Sequence, residues 1–146
     1  MMDIDIEFEV VGLPAPQGSK KHVGRGIMVE SSKALKPWRS DVKDAARHVM
    51  DDIGPGLFPL DEPLHLHIEF RFPMPKSRPA KLRHLGRAPK TTRPDLEKLV
   101  RGVCDALEQS GMVKDDAVIS AQTVTKREYT TGWHGALVRL EPDLGD

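Results

Sequence analysis

With a single cysteine, Cys104, the 146-residue chain has no route to an internal disulfide framework or a multi-cysteine metal site. No apolar run approaches the roughly 20 residues needed to span a bilayer. The first residues, Met1-Met2-Asp3-Ile4-Asp5-Ile6-Glu7, carry acids where a signal peptide carries bases and an apolar stretch. Net charge is lacking too, since 22 Lys and Arg balance 22 Asp and Glu. A phosphate-cradling Gly-rich loop and a nucleophile–base motif are both absent, which argues against a small-molecule enzyme and a small-molecule cofactor. What is present, 30% charged and 38% hydrophobic residues, suits an ordinary globular chain. The expectation is one compact, reduced, cytoplasmic domain over residues 1–146 with no membrane partner.

The zero net charge conceals a strong asymmetry. Arg71, Lys76, Arg78, Lys81, Arg83, Arg87, Lys90 and Arg93 fall in a stretch that contains no acid. Local basicity of this kind suits a polyanion, because phosphate contacts gain affinity from counterion release. An isolated basic run is more often a solvated loop. Here it leads directly into acids, which favours the polyanion.

Residues 4–11 alternate apolar and acidic side chains, the period of a half-buried strand. A loop follows from Gly12 to Ser19 and ends in Lys20-Lys21-His22, with a short hairpin expected around Gly24 to Glu30. From Lys33 to Ile53, Leu35, Trp38, Val42, Ala46 and Val49 recur at helical spacing, and Gly54-Pro55-Gly56 ends the helix. Leu64 to Phe72 is a second alternating strand. His65 and His67 share its other face. Histidines at i and i+2 can bind a metal, but no third ligand is near in sequence, so they read as polar-face residues. The basic, proline-rich segment of about 73–94 is expected to be an extended, mobile loop that orders on its partner, as is Gly12 to Lys21. A second helix is expected from about Leu96 to Gln109, then strands over Val118 to Tyr129 and Gly135 to Leu140. Trp133 and His134 would close a hairpin between these last two. The order predicts an α+β domain, a small mixed sheet with two main helices on one face.

The chemistry-bearing stretch is Arg93-Pro94-Asp95-Leu96-Glu97-Lys98-Leu99, with Asp115-Asp116 beyond the helix. Pro94 favours an extended approach to the helix, which would let Asp95 and Glu97 point the same way. Acids crowded together are costly unless a cation offsets them. Mg²⁺ prefers carboxylate, water and phosphate oxygens, and beside a phosphodiester it polarises the phosphoryl group and activates water. Each residue also has a plainer role available. Asp95 can cap the helix, Glu97–Arg101 and Arg101–Asp105 can be i/i+4 ion pairs, and Asp115-Asp116 can be a turn. Their occurrence together beside eight bases is what favours phosphodiester chemistry.

The run Arg93-Pro94-Asp95-Leu96-Glu97-Lys98-Leu99-Val100-Arg101, then Asp105-Ala106-Leu107, Gly111 and Asp115-Asp116, resembles the RusA-type Holliday junction resolvases of bacteria and their phages. The resemblance implies a homodimeric, Mg²⁺-dependent endonuclease that nicks a four-way junction symmetrically and leaves 5′-phosphate ends; Mn²⁺ in place of Mg²⁺ is left open by the sequence. It puts the essential carboxylates on Asp95, Glu97 and Asp116 and the essential cation on Arg101. Asp115 and Asp105 become supporting residues. The basic residues expected to bind DNA are Lys20, Lys21, Lys76, Arg78, Lys81, Arg83, Arg87, Lys90 and Arg93. The sequence departs from the family pattern at Glu97, where Asp is usual, and at Arg101, where Lys is usual and could give up a proton at neutral pH. Val118 also stands where a polar residue is common. These departures define an alternative, a junction- or duplex-binding protein that kept the fold and cleaves weakly or not at all. A nuclease acting on ordinary duplex or flap DNA is a third possibility.

Overall fold

The computed structural model describes residues 4–18, 20–22, 28–30 and 33–146. A five-stranded mixed sheet, in the order β1 (Ile6–Val11), β7 (Gly135–Pro142), β4 (Leu64–Pro73), β6 (Ile119–Tyr129), β5 (Arg87–Pro89), is covered on one face by two long helices. The domain is α+β, as the alternation of strand and helix periods predicts.

Alternation builds β1 (Ile6–Val11), which buries Ile6, Phe8 and Val10, and β4 (Leu64–Pro73), which buries Leu64, Leu66, Ile68, Phe70 and Phe72. Between them, α1 (Leu35–Ile53) turns Leu35, Trp38, Val42, Ala46 and Met50 toward the sheet. The other long helix, α3 (Leu96–Ser110), packs beside α1 with Leu99, Val103, Ala106 and Leu107 buried. At about 25 cal/mol per Å² of buried apolar area, this shared core supplies the main drive for folding. β6 (Ile119–Tyr129) runs parallel to β4, with α3 on the connection between them. Parallel neighbours need such a crossover. A 3₁₀ turn, Asp116–Val118, precedes β6, so the strand starts at Ile119.

Two expectations require correction. The last two strands do not form a hairpin. β7 (Gly135–Pro142) pairs with β1 and β4, and β4 lies between it and β6. Residues 130–134 bridge the end of β4, a span of about 10 Å for two strand spacings. Under that bridge the Arg71 guanidinium lies 3.8 Å from the Tyr129 ring centroid and 4.7 Å from that of Trp133. Short connections usually join adjacent strands; this one crosses β4 and is tied to it by the stacked arginine, whose Nε also donates to the Trp133 carbonyl at 3.3 Å.

The basic segment is likewise a folded part of the domain, not an extended loop. α2 (Ala80–Leu85) follows Pro79, and β5 (Arg87–Pro89) pairs antiparallel with β6 as the sheet edge. Further main-chain bonds run from Met74 N–H to the Tyr129 carbonyl and from Lys90 N–H to that of Lys126, both at 2.9 Å. The decisive group is Glu128 on β6, fully buried, whose carboxylate takes a bidentate pair of 2.8 Å bonds from Arg78. Lys90 Nζ stands 3.7 Å from the same carboxylate. A charge withdrawn from water must be paired, and the pairing holds the segment down. Gly12–Gly18 is also placed, against α3.

The hairpin expected around Gly24 to Glu30 is partly described. β2 (Lys20–His22) pairs antiparallel with β3 (Met28–Glu30) in a separate two-stranded sheet, and its turn lies outside the described residues. Among the described residues no helix is long and apolar enough to cross a membrane.

Candidate active site

The start of α3 sets out the first carboxylates. Asp95 occupies the N-cap in an extended conformation (φ −65°, ψ 137°), and its carbonyl accepts the Leu99 N–H at 3.1 Å. Its side chain makes no capping bond. The plain capping role is therefore not taken up by the carboxylate, which lies 3.8 Å from Lys98 Nζ. Lys126 fixes the backbone just ahead of it, donating to the carbonyls of Thr92 (2.7 Å) and Pro94 (2.8 Å). Burial, aided by the charge of Lys90, holds the Lys126 amine below its usual pKa.

One turn into the helix, Glu97 and Arg101 face an open groove of about 400 Å³ between α3 and β6, and Asp116 enters it from the far end of the helix. Leu96, Val100, Cys104 and Val124 provide its apolar lining. Burial, with the charges of Asp116 and Asp105 nearby, pushes the Cys104 thiol up to about 12, so it lines the groove as a neutral group. Among the described residues neither expected i/i+4 ion pair of Arg101 forms; Asp105 instead accepts from Gln17 Nε2.

The acidic corner is tighter than the motif suggests. Carboxylate oxygens of Glu108, Asp115 and Asp116 all lie within 4.8 Å of one another. Asp115 does serve the turn, accepting from Ala117 N–H at 2.8 Å, while the Asp116 N–H donates to Glu108 Oε1 at 3.0 Å. The Asp116 carboxyl titrates above its ordinary value, first through its hydrogen bond with Asp115, then through burial and the charges of Glu108, Asp115 and Asp105. Three acids held so close form a site where a hard cation relieves the repulsion. That corner around Asp116 fits a divalent metal, whereas among the described residues Asp95 does not line the groove and no such close trio includes Asp95 or Glu97. Glu108 was not among the residues expected from sequence. Its signal was there: it stands three helical turns beyond Glu97 on the same face.

The Gly12–Gly18 segment presses onto the helix carrying these groups. Gln17 N–H donates to the Lys98 carbonyl at 2.9 Å, and its side chain links Arg39 of α1 to Asp105 of α3. Gly102 faces this segment, where a Cβ would meet the Ala15 carbonyl oxygen at contact distance, 3.4 Å. Gly18 (φ +124°) lies against Arg101, and a Cβ would run into its Nη1. We expect Gly18→Ala to cost about 1–3 kcal/mol of stability through backbone strain. Displacing the guanidinium should also slow any cleavage by up to about a hundredfold. Thermal unfolding and single-turnover rates check the two effects separately.

Of the bases expected to meet DNA, Lys76, Lys81, Arg83, Arg87 and Arg93 are exposed, on or beside α2 and β5. Arg78 and Lys90 are turned to Glu128, and Lys90 Nζ also donates to Thr92 Oγ1 at 2.9 Å. The side chains of Lys20 and Lys21 lie outside the described residues.

A groove holding two carboxylates and an arginine, with an acidic corner at one end and an exposed basic segment on the same domain, is the equipment of a nuclease. The family model described as Endodeoxyribonuclease RusA matches residues 9–140, from β1 into β7, and the chain belongs to that family. No individually curated protein matches it. Family membership carries nuclease activity of the Holliday junction resolvase type in general terms.

Proposed function

We propose that this protein is a Mg²⁺-dependent, structure-selective endonuclease that resolves four-way DNA junctions by paired nicks, acting as a homodimer. The observation that carries this reading is the shared groove of Glu97, Arg101 and Asp116, next to the acidic corner of Glu108 and Asp115. Asp95, Glu97 and Asp116 would hold the metal, with Glu108 and Asp115 completing the negative field. A divalent cation bound there supplies Lewis-acid polarisation of the phosphate and a lowered pKa for its water.

Arg101 stays charged at neutral pH, so its part is to bind the phosphate oxygens and meet the charge that grows on them. Asp105 positions the first loop through Gln17, and the loop in turn positions Arg101. Glu97, one methylene longer than the family's usual aspartate, opens onto the same groove as Asp116, which supports its service as a ligand. Phosphates of the arms are tracked by Lys76, Lys81, Arg83, Arg87 and Arg93, joined by Lys20 and Lys21. Arg78 and Lys90 act mainly by keeping that segment folded. A junction offers two equivalent strands and one groove cuts one strand, so a two-fold pair of subunits suits the substrate.

The test is a nicking assay on a synthetic four-way junction and a sequence-matched linear duplex, with Mg²⁺ or EDTA. Paired nicks in the junction alone, abolished by EDTA and leaving ligatable ends, are the expected result. Equal cutting of the duplex would make it a general nuclease. Junction binding without nicking would make it a binding protein.

A further inference from the structure

The solvent-facing side of the sheet, remote in sequence from the carboxylate motif, carries a second set of metal-ligating groups. His65 and His67 stand on β4 with their rings stacked, centroids 4.0 Å apart and planes 18° from parallel. The third group missing from the local sequence arrives from β7, where Glu141 pairs across the sheet with His65. Its Oε1 lies 2.8 Å from His67 Nε2 and 3.8 Å from His65 Nδ1. Ligands about 2.0–2.1 Å from a tetrahedral zinc stand roughly 3.3 Å apart; these two separations bracket that value, and a turn of one stacked ring aims both nitrogens at a shared ion.

The surroundings are arranged as the outer groups of a metal site usually are. His65 Nε2 lies 2.8 Å from Thr123 Oγ1, leaving Nδ1 for the inner side. Glu141 Oε2 accepts from Arg139 at 2.7 Å, leaving Oε1 for the inner side. Arg139 is held in turn by Asp5 through 2.9 and 3.2 Å bonds, which balance its charge. All three inner groups are partly exposed, so an ion has access from solvent.

From this geometry we infer that His65, His67 and Glu141 form a binding site for a borderline-soft divalent cation, Zn²⁺ or Co²⁺ in preference to Mg²⁺. Two imidazoles and one carboxylate favour such ions, whereas the carboxylate oxygens of the groove favour Mg²⁺. Three protein ligands leave one position open to water. The bound ion staples β4 to β7 at the centre of the sheet, so its effect is on stability and is independent of the nuclease reading.

The test is zinc titration of the whole protein in buffer containing excess Mg²⁺, followed by calorimetry, thermal unfolding and the imidazole proton resonances. One equivalent should bind, shift the resonances of His65 and His67, and raise Tm by about 5 °C or more at a hundredfold excess over Kd. His67→Gln and Glu141→Gln should each remove the shift in Tm, and Asp116→Asn should keep it. The inference is overturned if zinc leaves the His65 and His67 resonances unmoved, or if the Tm rise survives both ligand substitutions. It is equally overturned if Asp116→Asn alone abolishes binding, which would put the zinc in the groove. The wild-type resonances decide the matter even where a variant fails to fold.

Discussion

Asp116→Asn is expected to lower the rate of junction nicking by at least about a hundredfold, the scale at which removing one group aimed at developing charge is felt. The same substitution should leave folding intact. Asp116 is exposed, its carboxyl is already held above its ordinary pKa by Asp115 and Glu108, and its backbone bond to Glu108 does not depend on its side chain. Removing one of three mutually repelling acids should therefore hold stability constant or raise it by up to about 0.5 kcal/mol in EDTA. Junction affinity in EDTA should also hold or rise, because a negative charge beside the phosphates has gone.

These three readouts separate a ligand from a structural residue. Activity lost with Tm and binding kept is the signature of a group that acts on the reaction. A parallel fall in Tm would mean that the Asp115–Asp116 turn had unravelled, and cleavage at the wild-type rate would remove Asp116 from the machinery. Mg²⁺ titrations add a fourth readout, since the variant should show a smaller Mg²⁺-dependent rise in Tm than the wild type.

Much of the site was written locally. The Leu99, Val103 and Leu107 stripe predicts α3, Pro94 predicts the extended approach to it, and the helix then puts Glu97 and Arg101 on one face. Asp116 joins them because the chain turns directly after the helix. What could not be read locally depends on which strands become neighbours. Glu141 lies 74 residues from His67, and only the pairing of β7 with β4 makes it the third ligand. The insertion of β4 between β6 and β7 has the same origin: a short connection argues for pairing, and the topology overrules it. The basic segment failed for an electrostatic reason. Charge and proline content describe a loop as long as every base is presumed to face water, and one buried acid, fifty residues from Arg78, changes that.

That acid gives the largest expected effect on stability. Glu128 is fully buried with two 2.8 Å bonds to Arg78, so Glu128→Ala leaves the guanidinium and the nearby Lys90 unpaired in a partly dry site. Breaking one side of a buried pair costs about 3–5 kcal/mol, which for a chain of this size lowers Tm by roughly 10 °C or more. The arginine bond holds the Glu128 carboxyl below its ordinary pKa. A depressed carboxylate contributes stability above its unfolded value of about 4.3, and that contribution fades as pH falls through the lower folded value. The gap in Tm between wild type and Glu128→Gln should therefore be widest at neutral pH and narrow steadily below about pH 4.3. A gap that stays constant down to pH 3 would mean the ionised pair contributes nothing. Arg78→Gln completes the test. As the partner of Glu128 it should lower Tm yet leave the slope of log affinity against log salt unchanged, whereas a phosphate-contacting arginine would reduce that slope by about one.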